Sequence, residues 1–235
     1  MTVPDGGTSG SGPTPGVGDG AGALPDRPAL RGWLHAGALP VMVALGIALV
    51  TVPEVSAGGR LLLAVYAVGT SAMLGASAAY HRLRWSPAAR RIAQRVDRSA
   101  IFLAIAGGYT PVAWVCLDGS WRVAVLSTVW GGAAVGIAFH WIPRTPPVAK
   151  GASFIVVGWT AAMVLPQLAD ALGPLGFTLI LLGGIAYTLG ALCFATRRPN
   201  PWPRVVGFHE VFHAFTLVAA GLQFAGIAIT VVPLL

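Results

Sequence analysis

Long apolar stretches alternate with short polar segments along most of the chain after residue 30. Seven stretches come close to the ~20 residues that a helix needs to cross ~30 Å of hydrocarbon. They are Trp33–Val52, Leu61–Tyr80, Ala100–Leu117, Trp121–Phe139, Ala152–Ala169, Leu175–Ala195 and Gly207–Val232. The pattern therefore predicts an all-α integral membrane protein, folded as a bundle of seven transmembrane helices.

The first thirty residues differ in kind from the rest of the chain. They are rich in Gly, Pro, Ser and Asp and contain no apolar run of useful length. Such a segment buries too little surface to offset the entropy lost on ordering. We therefore predict a disordered tail at residues 1–30, followed by a single membrane domain at residues 31–235.

The composition indicates that lipid is the main solvent of this chain. Charged residues make up only 10% of the sequence, against about 25% in soluble domains. The net charge of +7 could indicate nucleic-acid binding, but membrane topology explains the basic residues better, so no nucleic-acid partner is expected. The expected partners are membrane lipids and a lipid-like substrate, and the sequence assigns no oligomeric state.

The positions of the basic residues indicate the orientation of the helices. Thirteen of the 15 Lys and Arg residues lie in the tail and in the second, fourth and sixth loops, and the exceptions are Arg60 and Arg122. Cytoplasmic loops carry such an excess of positive charge. The N-terminus is thus predicted to be cytoplasmic and the C-terminus external. Frequent Ala, Gly, Arg and Pro favour a bacterial source and hence the bacterial plasma membrane.

Three histidines near the predicted helix ends are the strongest candidates for chemistry. His209 and His213 are four residues apart at the start of the last helix, so they share one helical face. Two imidazoles at this spacing can bind one zinc ion. The second helix ends in His81, with Ser77 on the same face. Because the predicted topology brings all three histidines to a similar depth at the cytoplasmic side, we predict a zinc site there.

Other interpretations of these polar residues remain open at this point. Histidines near an interface often cap helices or form hydrogen bonds, and histidine sites also accept iron, nickel or copper. Asp97 lies on a face of small residues, where it can point into the bundle or pair with a loop arginine. His35 and His140 are expected to be interfacial, with His35 also a candidate to support the metal ligands.

The segment His209-Glu210-Val-Phe-His213 also fits the H-E-x-x-H motif of zinc proteases, with Glu210 as general base. Intramembrane metalloproteases add a later Leu-Asp-Gly, whereas Leu117-Asp118-Gly119 comes earlier in this chain and is predicted to lie at the opposite surface. His81 and Asp97 complete a site better. A protease is therefore the less favoured interpretation, and Glu210 is expected to stabilise the first turn of the last helix.

Three motifs in this order carry a family resemblance. They are Ser77-x-x-x-His81, Asp97 leading into Gly-Gly-Tyr109-Thr110-Pro111, and His209-x-x-x-His213. From about Leu30 onward the chain resembles the hemolysin III proteins, bacterial members of the progestin and adiponectin receptor superfamily and distant relatives of alkaline ceramidases. The family usually shows an Asn shortly before a His in the first helix, and here only His35 is present.

The resemblance implies a seven-helix fold with Zn2+ near the cytoplasmic face, bound by His81, His209 and His213. It also implies that Ser77 and Asp97 are catalytic residues near the water on the metal, in a ceramidase-like hydrolysis of a lipid amide or ester. Three protein ligands leave a fourth position for that water, which Asp97 can deprotonate. The alternatives are a receptor or sensor with a structural zinc ion, or the membrane lysis that the family name suggests.

Overall fold

The structure is a computed structural model that describes residues 28–235. Those residues form seven α-helices and no strand, so the all-α class is confirmed. The helices are α1 (Trp33–Val50), α2 (Ala57–Arg82), α3 (Pro87–Cys116), α4 (Gly119–Trp141), α5 (Pro147–Gly158), α6 (Leu165–Thr196) and α7 (Phe208–Gly226). A 3-10 helix, Thr160–Val164, joins α5 to α6, and short π and 3-10 turns follow α7. The predicted tail lies outside the described residues, apart from positions 28–30.

Six helical stretches within the described residues are long and apolar enough to cross a membrane. Four of them are α1 to α4, the fifth is the continuous stretch Pro147–Thr196, and the sixth is Phe208–Leu234. The fifth stretch has 50 residues, and a straight helix of that length would extend about 75 Å, more than twice the hydrocarbon thickness. The chain is a multi-pass membrane protein, and its fifth stretch is too long for a single straight crossing.

The chain folds back on itself inside the stretch Pro147–Thr196. The indole nitrogen of Trp159 donates a hydrogen bond of 3.0 Å to the hydroxyl of Thr188, although a straight helix would separate these residues by about 43 Å. Gly173 has φ 64 and ψ 177, which is not helical, and Pro174 follows it. Proline lacks the N–H needed to continue the helical ladder. The stretch therefore consists of two arms that lie side by side and meet at Gly173.

The side chain of Tyr109 stabilises a second break, between α5 and the 3-10 helix. Its hydroxyl donates to the carbonyl oxygen of Gly158 at 2.7 Å and accepts from the backbone N–H of Ala161 at 2.8 Å. Backbone groups freed by a helix break in lipid need an internal partner, because no water is present to satisfy them. Tyr109 supplies that partner and fixes this break against α3.

Close packing of α2 on α3 positions the residues at the end of α2. A Cβ at Gly69 would lie 2.6 Å from the carbonyl oxygen of Leu103, and a Cβ at Gly107 would lie 2.8 Å from that of Val65. Only glycine permits this approach of the two backbones. Ser86 caps α3 by accepting from the N–H of Ala89 at 3.3 Å. The helix therefore begins well before the apolar stretch and carries Asp97 alongside α2.

Candidate metal centre

Three histidine side chains from two helices meet at one end of the bundle. His81 lies in the last turn of α2, and His209 and His213 lie in the first two turns of α7. One ring nitrogen of each lies within 4.8 Å of the other two. The Nε2 atoms of His81 and His209 are 3.1 Å apart. These separations suit three imidazoles that share one ion at Zn–N distances of about 2.0–2.1 Å.

The burial and the donor atoms of this three-histidine cluster are compatible with a metal ion. His213 is buried, and His81 and His209 are half-buried. The rings of His81 and His209 meet edge to face at an interplanar angle of 81°. Neutral imidazoles offer in-plane lone pairs, and nitrogen donors of this kind suit zinc as well as copper, iron and nickel. The donor set therefore fits the predicted ion.

A fourth histidine, His35 of α1, lies flat against the cluster. Its ring is parallel to that of His213, with centroids 3.9 Å apart and planes inclined by 3°. His35 is 3% exposed. The ring lies beside the backbone of His213, but neither ring nitrogen reaches hydrogen-bonding geometry with any group in residues 28–235. The sequence suggested that His35 could support the candidate metal ligands, and in the structure its ring stacks on one of them, His213.

Ser77 and Asp97 form a polar pair beside the cluster. The Ser77 side chain lies next to the Asp97 carboxylate, and Ser77 is 4% exposed. Ser77 precedes His81 by one turn of α2, about 6 Å along the helix axis. Within residues 28–235, Asp97 forms no ion pair with an arginine. An ion pair between Asp97 and a loop arginine is therefore not found in these residues. The Asp97 carboxylate lies beside Ser77 of α2.

Glu210, between the two histidines of α7, is engaged at both carboxylate oxygens. One oxygen accepts the backbone N–H of Gly207 at 2.9 Å, and the other forms an ion pair with the guanidinium of Arg31. The side chain of Glu210 is 2% exposed. It thus stabilises the N-terminal turn of α7, where a negative charge is favourable. Both oxygens are committed to structure, which argues against Glu210 as the general base of a protease.

The segment just before α1 packs beside the three-histidine cluster. The backbone N–H groups at 29 and 30 donate to the carbonyl oxygens at 204 and 205, at 2.9 and 3.3 Å. Gly32 has φ +80, and a Cβ there would lie 2.6 Å from the Cβ of His81. This segment therefore contacts both helices that carry the three histidines. Arg31 of this segment forms the ion pair with Glu210, a contact that the sequence pattern did not predict.

His140 and Asp118 lie outside the cluster. His140 is 6% exposed and packs against the rings of Phe102 and Phe154, at centroid distances of 5.9 and 5.2 Å. Neither of its ring nitrogens forms a hydrogen bond with a described group. Asp118 precedes α4 and pairs with Arg122 at 2.9 Å. Neither residue belongs to the group of metal-ligand candidates, so Asp118 does not complete a protease-type site.

The fold and the cluster together define a class, multi-pass helical membrane proteins with a buried group of histidines at one end of the bundle. The chain matches the family model described as haemolysin-III related over residues 25–224. Because the match covers most of its length, the chain belongs to this family. The resemblance read from the three motifs is confirmed.

Two relatives are similar to this chain over more than half of its length. Hemolysin-3 of Bacillus cereus is 31% identical over 148 residues, which is 63% of this chain and 65% of the relative. The Hemolysin-3 homolog of Bacillus subtilis (strain 168) is 30% identical over 134 residues, 57% of this chain and 60% of that relative. In both comparisons the chain spans less than two thirds of the relative's length.

Proposed function

We propose that this protein binds one zinc ion through His81, His209 and His213 and uses it to hydrolyse a lipid amide or ester. The observation that supports this proposal is the group of three imidazole nitrogens within 4.8 Å of one another. The Ser77 hydroxyl lies one helical turn before His81 on α2, and the Asp97 carboxylate lies next to Ser77. When bound, zinc would polarise the scissile carbonyl and make water a stronger nucleophile.

The roles of Ser77 and Asp97 are proposed from their closeness to each other. We assign to Ser77 either the orientation of the attacking water or a hydrogen bond to the developing oxyanion. Asp97 accepts the proton of the attacking water and returns it to the leaving group, as a general base and then a general acid. Because the bundle is surrounded by lipid, a long-chain amide such as a ceramide-like lipid is the preferred substrate class.

The number of ligands supports a catalytic ion over a structural one. Structural zinc sites are closed by four protein ligands, whereas catalytic sites have three and an open position. In the part of the chain that the structure describes, the candidate group contains three residues. A receptor or sensor with a structural ion is therefore the weaker alternative.

We also propose that the chain crosses a bacterial plasma membrane seven times, with a cytoplasmic N-terminus. The support comes from six apolar helical stretches, from the reversal at Gly173 that divides the fifth stretch into two arms, and from the uneven distribution of arginines. In this orientation the three-histidine cluster lies near the cytoplasmic face, as the resemblance implies.

Release of free fatty acid from ceramide-like lipids tests the proposed reaction. Purified zinc-loaded protein is expected to release fatty acid, and His209→Ala is expected to release none above background. Asp97→Asn should lower the rate by about 10²–10⁴-fold, the usual contribution of general acid–base catalysis. His140→Phe alters a buried histidine outside the cluster and serves as the control. Equal release by wild type and His209→Ala would refute the proposal.

The names of the two relatives support a second candidate function, lysis of a target membrane. Dye release from phospholipid vesicles distinguishes it from hydrolysis. Leakage that wild type and His209→Ala cause equally, without fatty acid release, would favour lysis. Vesicles that stay intact while fatty acid is released would favour the hydrolase.

A further inference from the structure

Two buried histidines lie outside the three-histidine cluster, and they differ in what surrounds them. His140 packs against Phe102 and Phe154, as an apolar side chain would. His35 instead lies parallel to His213, one of the three clustered imidazoles, at a centroid distance of 3.9 Å. His35 is therefore in direct contact with a proposed metal ligand, although it is not a member of the ligand group itself.

The polarity of His35 is not explained by the contacts that the structure describes. It is 3% exposed, and both ring nitrogens lack a hydrogen-bond partner in residues 28–235. Leaving a buried polar group without a partner destabilises a protein. A phenylalanine would stack on His213 equally well without that cost. The nitrogens of His140 also lack a partner, but His140 packs among phenylalanine rings, whereas His35 lies against the three-histidine cluster, where a bound ligand can use its nitrogens.

We propose that His35 is the hydrogen-bonding residue for the non-protein ligand of the metal centre, an anion or a carbonyl oxygen bound at the open position. The proposal rests on the proposed metal site and adds a binding residue from a third helix, α1. The parallel stack holds the His35 ring alongside that of His213, so its orientation is fixed before a ligand arrives. A neutral imidazole carries one N–H donor, which suits an oxygen or an anionic nitrogen acceptor.

Two other roles for His35 make different predictions. If His35 served only to stack on His213, then Phe at this position would preserve every property of the site. If His35 were a metal ligand, its removal would weaken metal binding. A residue that binds the exogenous ligand leaves metal affinity unchanged and alters only the affinity for that ligand.

The experiment uses Co2+ in place of zinc, because the visible spectrum of Co2+ reports its coordination, and azide as the exogenous ligand. Full-length protein is loaded with Co2+, and azide is titrated while the spectrum is followed. His35→Phe is expected to bind Co2+ with wild-type affinity but to bind azide about tenfold more weakly, as loss of one hydrogen bond to a charged ligand implies. His140→Phe, the matched control, should change neither affinity.

A second variant makes the test independent of any folding defect in His35→Phe. His35→Gln retains an N–H donor and should bind azide within about threefold of wild type, since it keeps the hydrogen bond. Unchanged azide affinity in His35→Phe would overturn the proposal, and so would a loss of Co2+ binding in both His35→Phe and His35→Gln. If wild type itself bound no Co2+, the proposed metal site would be refuted, and the role of His35 with it.

Discussion

The guanidinium of Arg31, which precedes α1, forms an ion pair with the carboxylate of Glu210 in the first turn of α7. The same carboxylate accepts the N–H of Gly207 at 2.9 Å. Glu210 thus connects the two ends of the chain beside the histidine cluster. Its position between His209 and His213 reflects a structural requirement of this end of the bundle.

Substitution of Glu210 should affect stability more than metal binding. Glu210→Gln can still accept from Gly207 but leaves the Arg31 charge without its partner. Breaking a buried pair costs about 3–5 kcal/mol, and because the Arg31 side chain is 22% exposed we expect roughly 2–3 kcal/mol. Thermal unfolding in detergent and zinc content measure the two effects. Asp118→Asn breaks an exposed pair and should change neither quantity.

The outcome for Glu210→Gln also separates the hydrolase from a protease. A general base of the H-E-x-x-H type, once removed, would abolish activity without lowering the melting temperature. A variant that is less stable but hydrolyses lipid when folded supports the structural role, and a stable but inactive variant argues for the protease motif.

Gly32 is the glycine whose replacement should disturb the cluster most directly. Its φ of +80 is strained for other residues, and a Cβ would meet the Cβ of His81 at 2.6 Å. Gly32→Ala is therefore expected to lower zinc occupancy and the melting temperature together. Nothing lies within 4 Å of the methyl group that Gly37→Ala would add. This substitution in a helix should therefore leave the free energy of unfolding unchanged or raise it by up to about 1 kcal/mol. Equal zinc occupancy in the two variants would contradict the described packing.

The Tyr109 hydroxyl is expected to be important for the break between α5 and the 3-10 helix. Tyr109→Phe removes both its bonds, to Gly158 and to Ala161. Two backbone groups would then lack a partner in an apolar environment, and each would lower the free energy of unfolding by about 1–3 kcal/mol. Tyr66→Phe is the control, because the buried Tyr66 hydroxyl has no described partner. Thermal unfolding should show a clearly lower melting temperature for Tyr109→Phe and an unchanged one for Tyr66→Phe.

Much of the helical framework could be predicted because it depends on local pattern. The stretch predicted at Trp33–Val52 corresponds to α1, Trp33–Val50, and the loop predicted between Ala169 and Leu175 contains the reversal at Gly173. The sequence also predicted that His81 would meet His209 and His213, from their spacing, their matched depth and the family resemblance, and in the structure the three rings lie together.

The contacts that the sequence did not predict join residues far apart in the chain. Nothing in the local pattern around Arg31 identifies Glu210 as its partner, and nothing around Tyr109 indicates a break at Gly158. Likewise, a lone His35 with no neighbour at helical spacing gives no sign that it stacks on His213. These pairings depend on how the helices pack, which hydrophobic periodicity leaves undetermined.

The proposed topology can be tested with single cysteines in a chain whose Cys116 and Cys193 are replaced by alanine. Asp170→Cys should react with a membrane-impermeant maleimide in intact bacterial cells, because it lies just before the reversal at Gly173. Arg144→Cys and Arg204→Cys should react only after permeabilisation. If Arg144→Cys and Arg204→Cys reacted from opposite sides of the membrane, the fifth stretch would cross once and the seven-helix arrangement would be wrong.

Zinc content of the purified protein tests the metal centre most directly. Elemental analysis of wild type is expected to give one zinc per chain, and His81→Ala, His209→Ala and His213→Ala should each lose most of it. His140→Phe should retain the wild-type content, since His140 lies outside the cluster. Wild-type zinc content in His81→Ala would contradict the assignment of this histidine, and with it the shared site at the ends of α2 and α7.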